Sequence, residues 1–197
     1  MYKDPPAADR INSFALVCYI PDPLAGFLDR LRQELVPTCF LRAHVTILPP
    51  RPISCSPEQA WKVIQALTPG FRPFEIELTS VEVFPVSDVI YIGISTGSKE
   101  LREMNAALNV AGLCFRESFA YIPHVTLAQD LQSDEVDELA RVAHIRWSEC
   151  SFPKKFPVNK VLFVQNTRWN QWIDLGESNL GEDESKLVGE LTDLVVS

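Results

Sequence analysis

Two tetrapeptides of this 197-residue chain are nearly the same: His44-Val45-Thr46-Ile47 and His124-Val125-Thr126-Leu127. In each, apolar residues alternate with one imidazole and one hydroxyl, the period of a β-strand whose successive side chains point to opposite faces. Val45 and Ile47, like Val125 and Leu127, can then enter a core while His44 with Thr46, and His124 with Thr126, stand together on the open face. Two such strands at matching places predict an internal repeat of one supersecondary unit.

The surroundings repeat as well. Before the first motif come a strand over Phe14–Ile20, Asp22-Pro23 as N-cap and first-turn proline, and Leu24, Phe27, Leu28, Leu31 and Leu35 at helical spacing up to Pro37. The motif strand runs from Arg42 to Leu48. Ser56-Pro57-Glu58-Gln59 then supplies a capping box for a helix that Pro69-Gly70 stops, and Phe74–Phe84 alternates as a half-buried strand. In the second half, Val89–Ser95 reads as a strand, Ser98 caps a helix ended by Gly112, and the strand with His124 follows. A helix from Ser133 and two strands, Val158–Gln165 and Trp172–Leu175 about a turn at Arg168-Trp169-Asn170, complete the pattern. Both halves read strand, helix, motif strand, helix, strand, which predicts an α+β fold rather than a doubly wound parallel sheet. Residues 1–11 read as a loose polar leader and residues 177–197 as an acidic tail, helical over a short stretch or disordered.

The motifs suit phosphoryl transfer. Set about a pseudo-twofold axis, the two strands make one site in which a neutral imidazole takes a proton from water and the opposite imidazolium gives one to the leaving oxygen. The two Thr hydroxyls can donate to the non-bridging phosphate oxygens where charge gathers. No cofactor is expected and no metal, because Asp130 is the nearest acid to either motif and no metal-ligand spacing appears. The third histidine, His144, lies at a helix end and reads as a surface residue. Five scattered cysteines (Cys18, Cys39, Cys55, Cys114, Cys150) form no Cys-x-x-Cys pair and read as reduced structural thiols.

On these motifs the chain resembles the two-histidine (2H) phosphoesterase superfamily, which includes 2',5' RNA ligase-like proteins and RNA cyclic phosphodiesterases. The likeness covers most of residues 12–176 and includes Tyr121 and Pro123 leading into the second motif. It implies one bilobal domain with pseudo-symmetric lobes over about residues 12–86 and 87–176 and a central cleft. It also implies metal-independent action on 2',3'-cyclic phosphates or 2',5'-linked diesters, with His44, Thr46, His124 and Thr126 as the catalytic set. Reversible 2',5' ligation by the same site, and a module that only binds a nucleotide or RNA end, are the alternatives. Bacterial RNA-ligase-like members commonly place a basic residue after the second motif, where this chain has Ala128-Gln129-Asp130; the first motif runs into Pro49-Pro50-Arg51-Pro52. Both departures weaken RNA as the substrate more than they weaken the chemistry.

Charge points the same way. The formal net charge is -8, of which residues 177–197, with six acids and one lysine, carry -5 and the body -3. Such a chain does not coat nucleic acid, since non-specific affinity comes from Lys and Arg on phosphates, although a local basic groove is compatible. Arg42, on the strand face of His44, and Arg51, just past the strand, are candidate phosphate contacts; Tyr121, Trp172 and Trp169 are candidates for stacking on a base. Arg116 and Arg168 are further candidates. With no signal-like leader and no apolar run long enough to cross a bilayer, the expectation is a cytoplasmic monomer. Its expected partner is a nucleotide or RNA end carrying a cyclic phosphate.

Overall fold

A computed structural model describes residues 9–181. Among the described residues eight strands and four α-helices follow one another in the order β1 (Arg10–Tyr19), α1 (Leu24–Leu35), β2 (His44–Arg51), α2 (Pro57–Leu67), β3 (Phe74–Val83), β4 (Ile90–Ile94), α3 (Ser98–Leu108), β5 (His124–Ala128), α4 (Val136–Ser148), β6 (Lys155–Val158), β7 (Lys160–Thr167) and β8 (Trp172–Asn179). The fold is α+β, with two antiparallel four-stranded sheets ordered β2-β1-β7-β8 and β5-β4-β3-β6.

The two orders correspond position by position. Each motif strand is an edge strand paired with the first strand of its own unit, Tyr19 opposite His44 and Gly93 opposite His124. Between the units, however, the chain exchanges its third strands. After α2 it crosses over to set β3 beside β4, and after β6 it crosses back to set β7 beside β1. The sheets therefore do not divide at residue 86 as the order along the chain suggests: β3 belongs with the second motif, and β7 and β8 with the first. The expected strand over Val158–Gln165 is likewise two strands, β6 and β7, separated at Asn159 and belonging to different sheets.

Burial around the motifs follows the alternation. Val45, Ile47 and Val125 are fully buried and Leu127 nearly so, while His44, Thr46, His124 and Thr126 are half-buried. Burying such aliphatic side chains stabilises by about 1.5–3 kcal/mol each, enough to fix which face of each strand looks outward. Helix α1 packs on β5 and α3 on β2, so each motif strand is backed by a helix of the other unit. One continuous core joins both sheets, from Leu16, Leu28 and Ile47 to Ile92, Met104 and Leu127.

Several element ends differ from the sequence expectation for local reasons. Strand β1 starts at Arg10, where its backbone pairs with Thr167. Pro23, not Asp22, is the N-cap of α1; the Asp22 carboxylate reaches past it and accepts from the Gly26 amide at 3.1 Å. The capping box of α2 is present, with Ser56 and Gln59 each accepting from the other's amide. Gly97, at φ 84°, is the N-cap of α3, and Ser98 is its first helical residue. Strand β8 continues to Asn179, so Glu177 is a strand residue, ion-paired to Lys160 at 2.9 Å. The expected tail over 182–197 and most of the expected leader, residues 1–8, lie outside the described residues. Among the described residues no helix is long and apolar enough to cross a membrane.

Candidate active site

His44, Thr46, His124 and Thr126 line one cleft of about 860 Å³. The two motif strands reach it with the same local geometry. His44 Nδ1 lies 2.7 Å from the carbonyl of Arg42, and His124 Nδ1 lies 2.6 Å from the carbonyl of Ile122, in each case two residues back along the chain. A carbonyl only accepts, so in both rings Nδ1 carries the hydrogen and the neutral imidazole keeps its lone pair on Nε2. Among the described residues neither Nε2 nor either Thr hydroxyl is hydrogen-bonded. Two proton-transfer groups and two donors are thus left for a ligand.

The turns entering the motifs are held alike. Arg32 of α1 donates through Nη1 to the carbonyls of Leu41 (3.1 Å) and Arg42 (3.2 Å). Arg102 of α3 donates through Nη1 to the carbonyl of Tyr121 at 2.7 Å. Leu41 and Tyr121 each stand three residues before their histidine, so the same backbone position is gripped in both units. Asp29 adds a bond from the Ala43 amide at 2.6 Å.

The two histidines differ in their neighbours. Burial, then the Arg32 guanidinium, pushes His44 down to about 4. Burial also holds His124 below its ordinary value, against the Ile122 carbonyl, which favours the imidazolium. Beside His44, the Arg42 guanidinium stacks 3.7 Å from the Tyr19 ring centroid and lies 3.5 Å from Asp174, whose carboxylate also accepts from the Tyr19 hydroxyl at 2.6 Å. Beside His124 stand two aromatic rings, Phe84 and Tyr91, with centroids 5.1 and 5.4 Å from the imidazole and stacked on each other at 3.9 Å.

Of the expected contacts, Arg42, Tyr121 and Trp172 line the cleft. Arg42 precedes the strand rather than lying in it. The Tyr121 hydroxyl is committed to the Thr46 carbonyl at 2.6 Å, leaving its ring face as the part available to a ligand. Arg51 is a correction. It is 2% exposed, lies outside the cleft, and spends its donors on Pro49, Asn109, Leu113 and Glu117, because β2 continues through Pro49-Pro50 and turns residue 51 inward. Trp169 and Arg116 are exposed and outside the lining, and Arg168 pairs with Asp9 at 2.8 Å. His144 is exposed on α4. Among the described residues no three His, Cys, Asp or Glu gather as a metal-binding group. Sequence reasoning missed Arg32, Arg102, Tyr19 and the Phe84–Tyr91 pair; the period of α1 and α3 carries no sign that an arginine turns toward a motif.

The family model described as the 2'-5' RNA ligase superfamily matches residues 20–169, both motifs included. The chain belongs to this superfamily. A superfamily relative from Halalkalibacterium halodurans, named "Putative phosphoesterase BH1439", is 28% identical over 140 residues, 66% of this chain and 78% of its own. One from Oceanobacillus iheyensis, "Putative phosphoesterase OB1230", is 29% identical over 69 residues, 34% of this chain and 40% of its own. Among solved structures, apo LigT of E. coli aligns over 87% of this chain and 99% of its own, with a TM-score of 0.58 and 16% identity. LigT complexed with 3'-AMP gives the same TM-score at 15% identity, over 87% and 98%. At that identity the likeness shows the fold.

Proposed function

We propose that the protein is a phosphodiesterase that hydrolyses a 2',3'-cyclic phosphate, on a nucleotide or an RNA end, with His44 and His124 as the paired acid and base. The matched imidazoles, each anchored through Nδ1 and lining the same cleft, carry this reading. Water attacks phosphorus on one side as its proton passes to one Nε2. The P–O bond opposite breaks as the other imidazolium gives its proton to the departing oxygen. Thr46 and Thr126 donate to the non-bridging oxygens, where hydrogen bonds strengthen as charge builds up. Superfamily membership and the names of the relatives support phosphoester chemistry; the crystal of LigT with 3'-AMP shows that protein with a nucleotide monophosphate.

The test is hydrolysis of 2',3'-cyclic nucleotides and of a short RNA ending in a cyclic phosphate, with EDTA present. Wild type is expected to turn over, and His44→Ala and His124→Ala each to lose at least about a hundredfold in kcat. Turnover that survives either substitution overturns the paired mechanism. A second reading, formation of a 2',5' linkage in which a 5'-hydroxyl takes the place of the attacking water on the cyclic phosphate and the 3'-oxygen departs with the acid's proton, is favoured by the description of the superfamily; joined product from a cyclic-phosphate end and a 5'-hydroxyl end supports it.

A further inference from the structure

The cleft is polarised, and its two ends suit different parts of one ligand. Among the described residues Arg32 and Arg42 are the only Lys or Arg side chains that line it, and both belong to the His44 side. Arg42 is already paired with Asp174. The His124 side carries no cation and is mostly apolar: Phe84, Pro85 and Val86 with Ser87 from the turn after β3, and Phe119 and Ile122 with Ser118 from the segment before β5. Val86 is 78% exposed, Phe119 66% and Ile122 42%. Large apolar groups held open to water beside a reaction centre mark a binding surface, whereas isolated ones do not.

We propose that this wall is a subsite for one apolar or aromatic substituent, and that the substrate is a small diester with a single phosphate rather than a polynucleotide. This rests on the phosphodiesterase reading. Each further phosphate of a nucleic-acid strand would need its own cation for tight binding. Past the His pair the lining offers apolar side chains, the neutral Ser87, Ser118 and Gln129, and Glu117, but no further cation, on a chain of net charge -8. A nucleobase or group of similar size, set against Phe119 and Val86 while its phosphate sits between His44 and His124, uses both ends of the cleft.

Binding of product-like ligands tests this without turnover. Calorimetric titration would compare adenosine 2'-phosphate, glycerol 2-phosphate and a tetra-adenylate ending in a 2'-phosphate on wild type, Phe119→Ser and Val86→Ser. Adenosine 2'-phosphate is expected to bind wild type at least tenfold more tightly than glycerol 2-phosphate and no more weakly than the tetramer. Either substitution, at an exposed position, is expected to shrink the adenosine-over-glycerol ratio about tenfold. Equal binding of the two small ligands, a ratio untouched by both substitutions, or clearly tighter binding of the tetramer overturns the subsite. Loss of turnover with this binding pattern intact would instead overturn the reaction.

A separate observation concerns the paired arginines. The Arg42 carbonyl accepts from both His44 Nδ1 and Arg32 Nη1, and the Tyr121 carbonyl held by Arg102 adjoins the Ile122 carbonyl that takes His124 Nδ1. The geometry points to Arg32 and Arg102 as positioning residues that fix the tautomer and aim of the histidines through the backbone. Such support of a reacting group from behind alters orientation without touching the substrate. Arg102 is exposed and so can be changed without opening the core. In Arg102→Met, the nitrogen-15 shifts of His124 at pH 8 are expected to show the Nε2–H tautomer gaining population, with His44 unaltered. Turnover of 2',3'-cyclic AMP should fall about tenfold in kcat with little change in KM, and Arg102→Lys should restore most of both. A His124 tautomer ratio unchanged in Arg102→Met overturns the assignment whether or not the protein turns over a substrate.

Discussion

The Tyr121 hydroxyl donates to the Thr46 carbonyl at 2.6 Å, so the residue that leads into the second motif is tied to the backbone of the first. Burial pushes this phenol far above its ordinary value, and it stays a donor throughout the working pH range. The bond joins the two units and fixes β2 against the segment before β5. Tyr121→Phe keeps the ring and leaves one carbonyl without its donor, at a cost of about 1–2 kcal/mol. Chemical denaturation should show that loss, and kcat should fall several-fold as the two halves of the site loosen.

Thr46 and Thr126 invite the opposite result. Their hydroxyls have no partner among the described residues, so replacement by the isosteric valine removes nothing from the fold. Thr46→Val and Thr126→Val are expected to leave Tm within about two degrees of wild type and to lower kcat ten- to a hundredfold. Thr68 is the control. Its buried hydroxyl donates to the Ile64 carbonyl at 2.8 Å and meets Ser178 Oγ at 2.5 Å, so Thr68→Val should lower Tm and spare kcat.

Arg51 gives a direct separation of support from binding. Its guanidinium is 2.5 Å from Glu117 and 2.7 Å from Asn109, buried and not part of the cleft lining. Arg51→Met should destabilise by about 3 kcal/mol, the cost of breaking a largely buried pair from one side. Because Glu117 lines the cleft, KM is read in the folded fraction of Arg51→Met with Glu117→Gln, where it should match wild type; a rise of tenfold in that double variant would return Arg51 to the substrate.

Where the sequence was legible, the information was local. The alternation in residues 44–47 and 124–127 decides which side chains are buried, and residues 41–48 and 121–128 are buried and open in the same order. The capping box at Ser56 and the proline-glycine stop at Pro69-Gly70 act within a few residues and could be read directly. Strand partners could not. Both β3 and β7 carry an acceptable strand pattern in either sheet, and only the long crossover decides that β3 pairs with β4 and β7 with β1. For the same reason Arg42 and Arg51, which look alike as basic residues flanking one motif, part company: one stacks on Tyr19 at the cleft and the other is buried beneath it. Arg32 and Arg102 depend on where two helices come to lie, which no spacing along the chain records.

The depressed histidines set the pH behaviour. His44 is held down to about 4 from 6.5, so the folded protein keeps it neutral where the unfolded chain begins to protonate. The unfolded state therefore binds more protons below about pH 6.5, and the stability contributed by the neutral ring is complete above that value and lost as pH falls toward 4. Tm of wild type should decline across this window, and His44→Gln should flatten the decline. A bound phosphate reverses the local field, since an anion beside the rings favours the imidazolium that burial and Arg32 oppose. Inorganic phosphate should then bind with net proton uptake near pH 6, measured by titration calorimetry in buffers of different ionisation enthalpy. His44→Gln should take up fewer protons, and His44→Gln with His124→Gln nearly none beyond those of phosphate itself. Uptake by wild type no greater than that of the double variant would show that the anion sits away from both rings. On the proposed mechanism, such uptake would supply the imidazolium that the leaving oxygen needs, offsetting the burial that holds both histidines below their ordinary values.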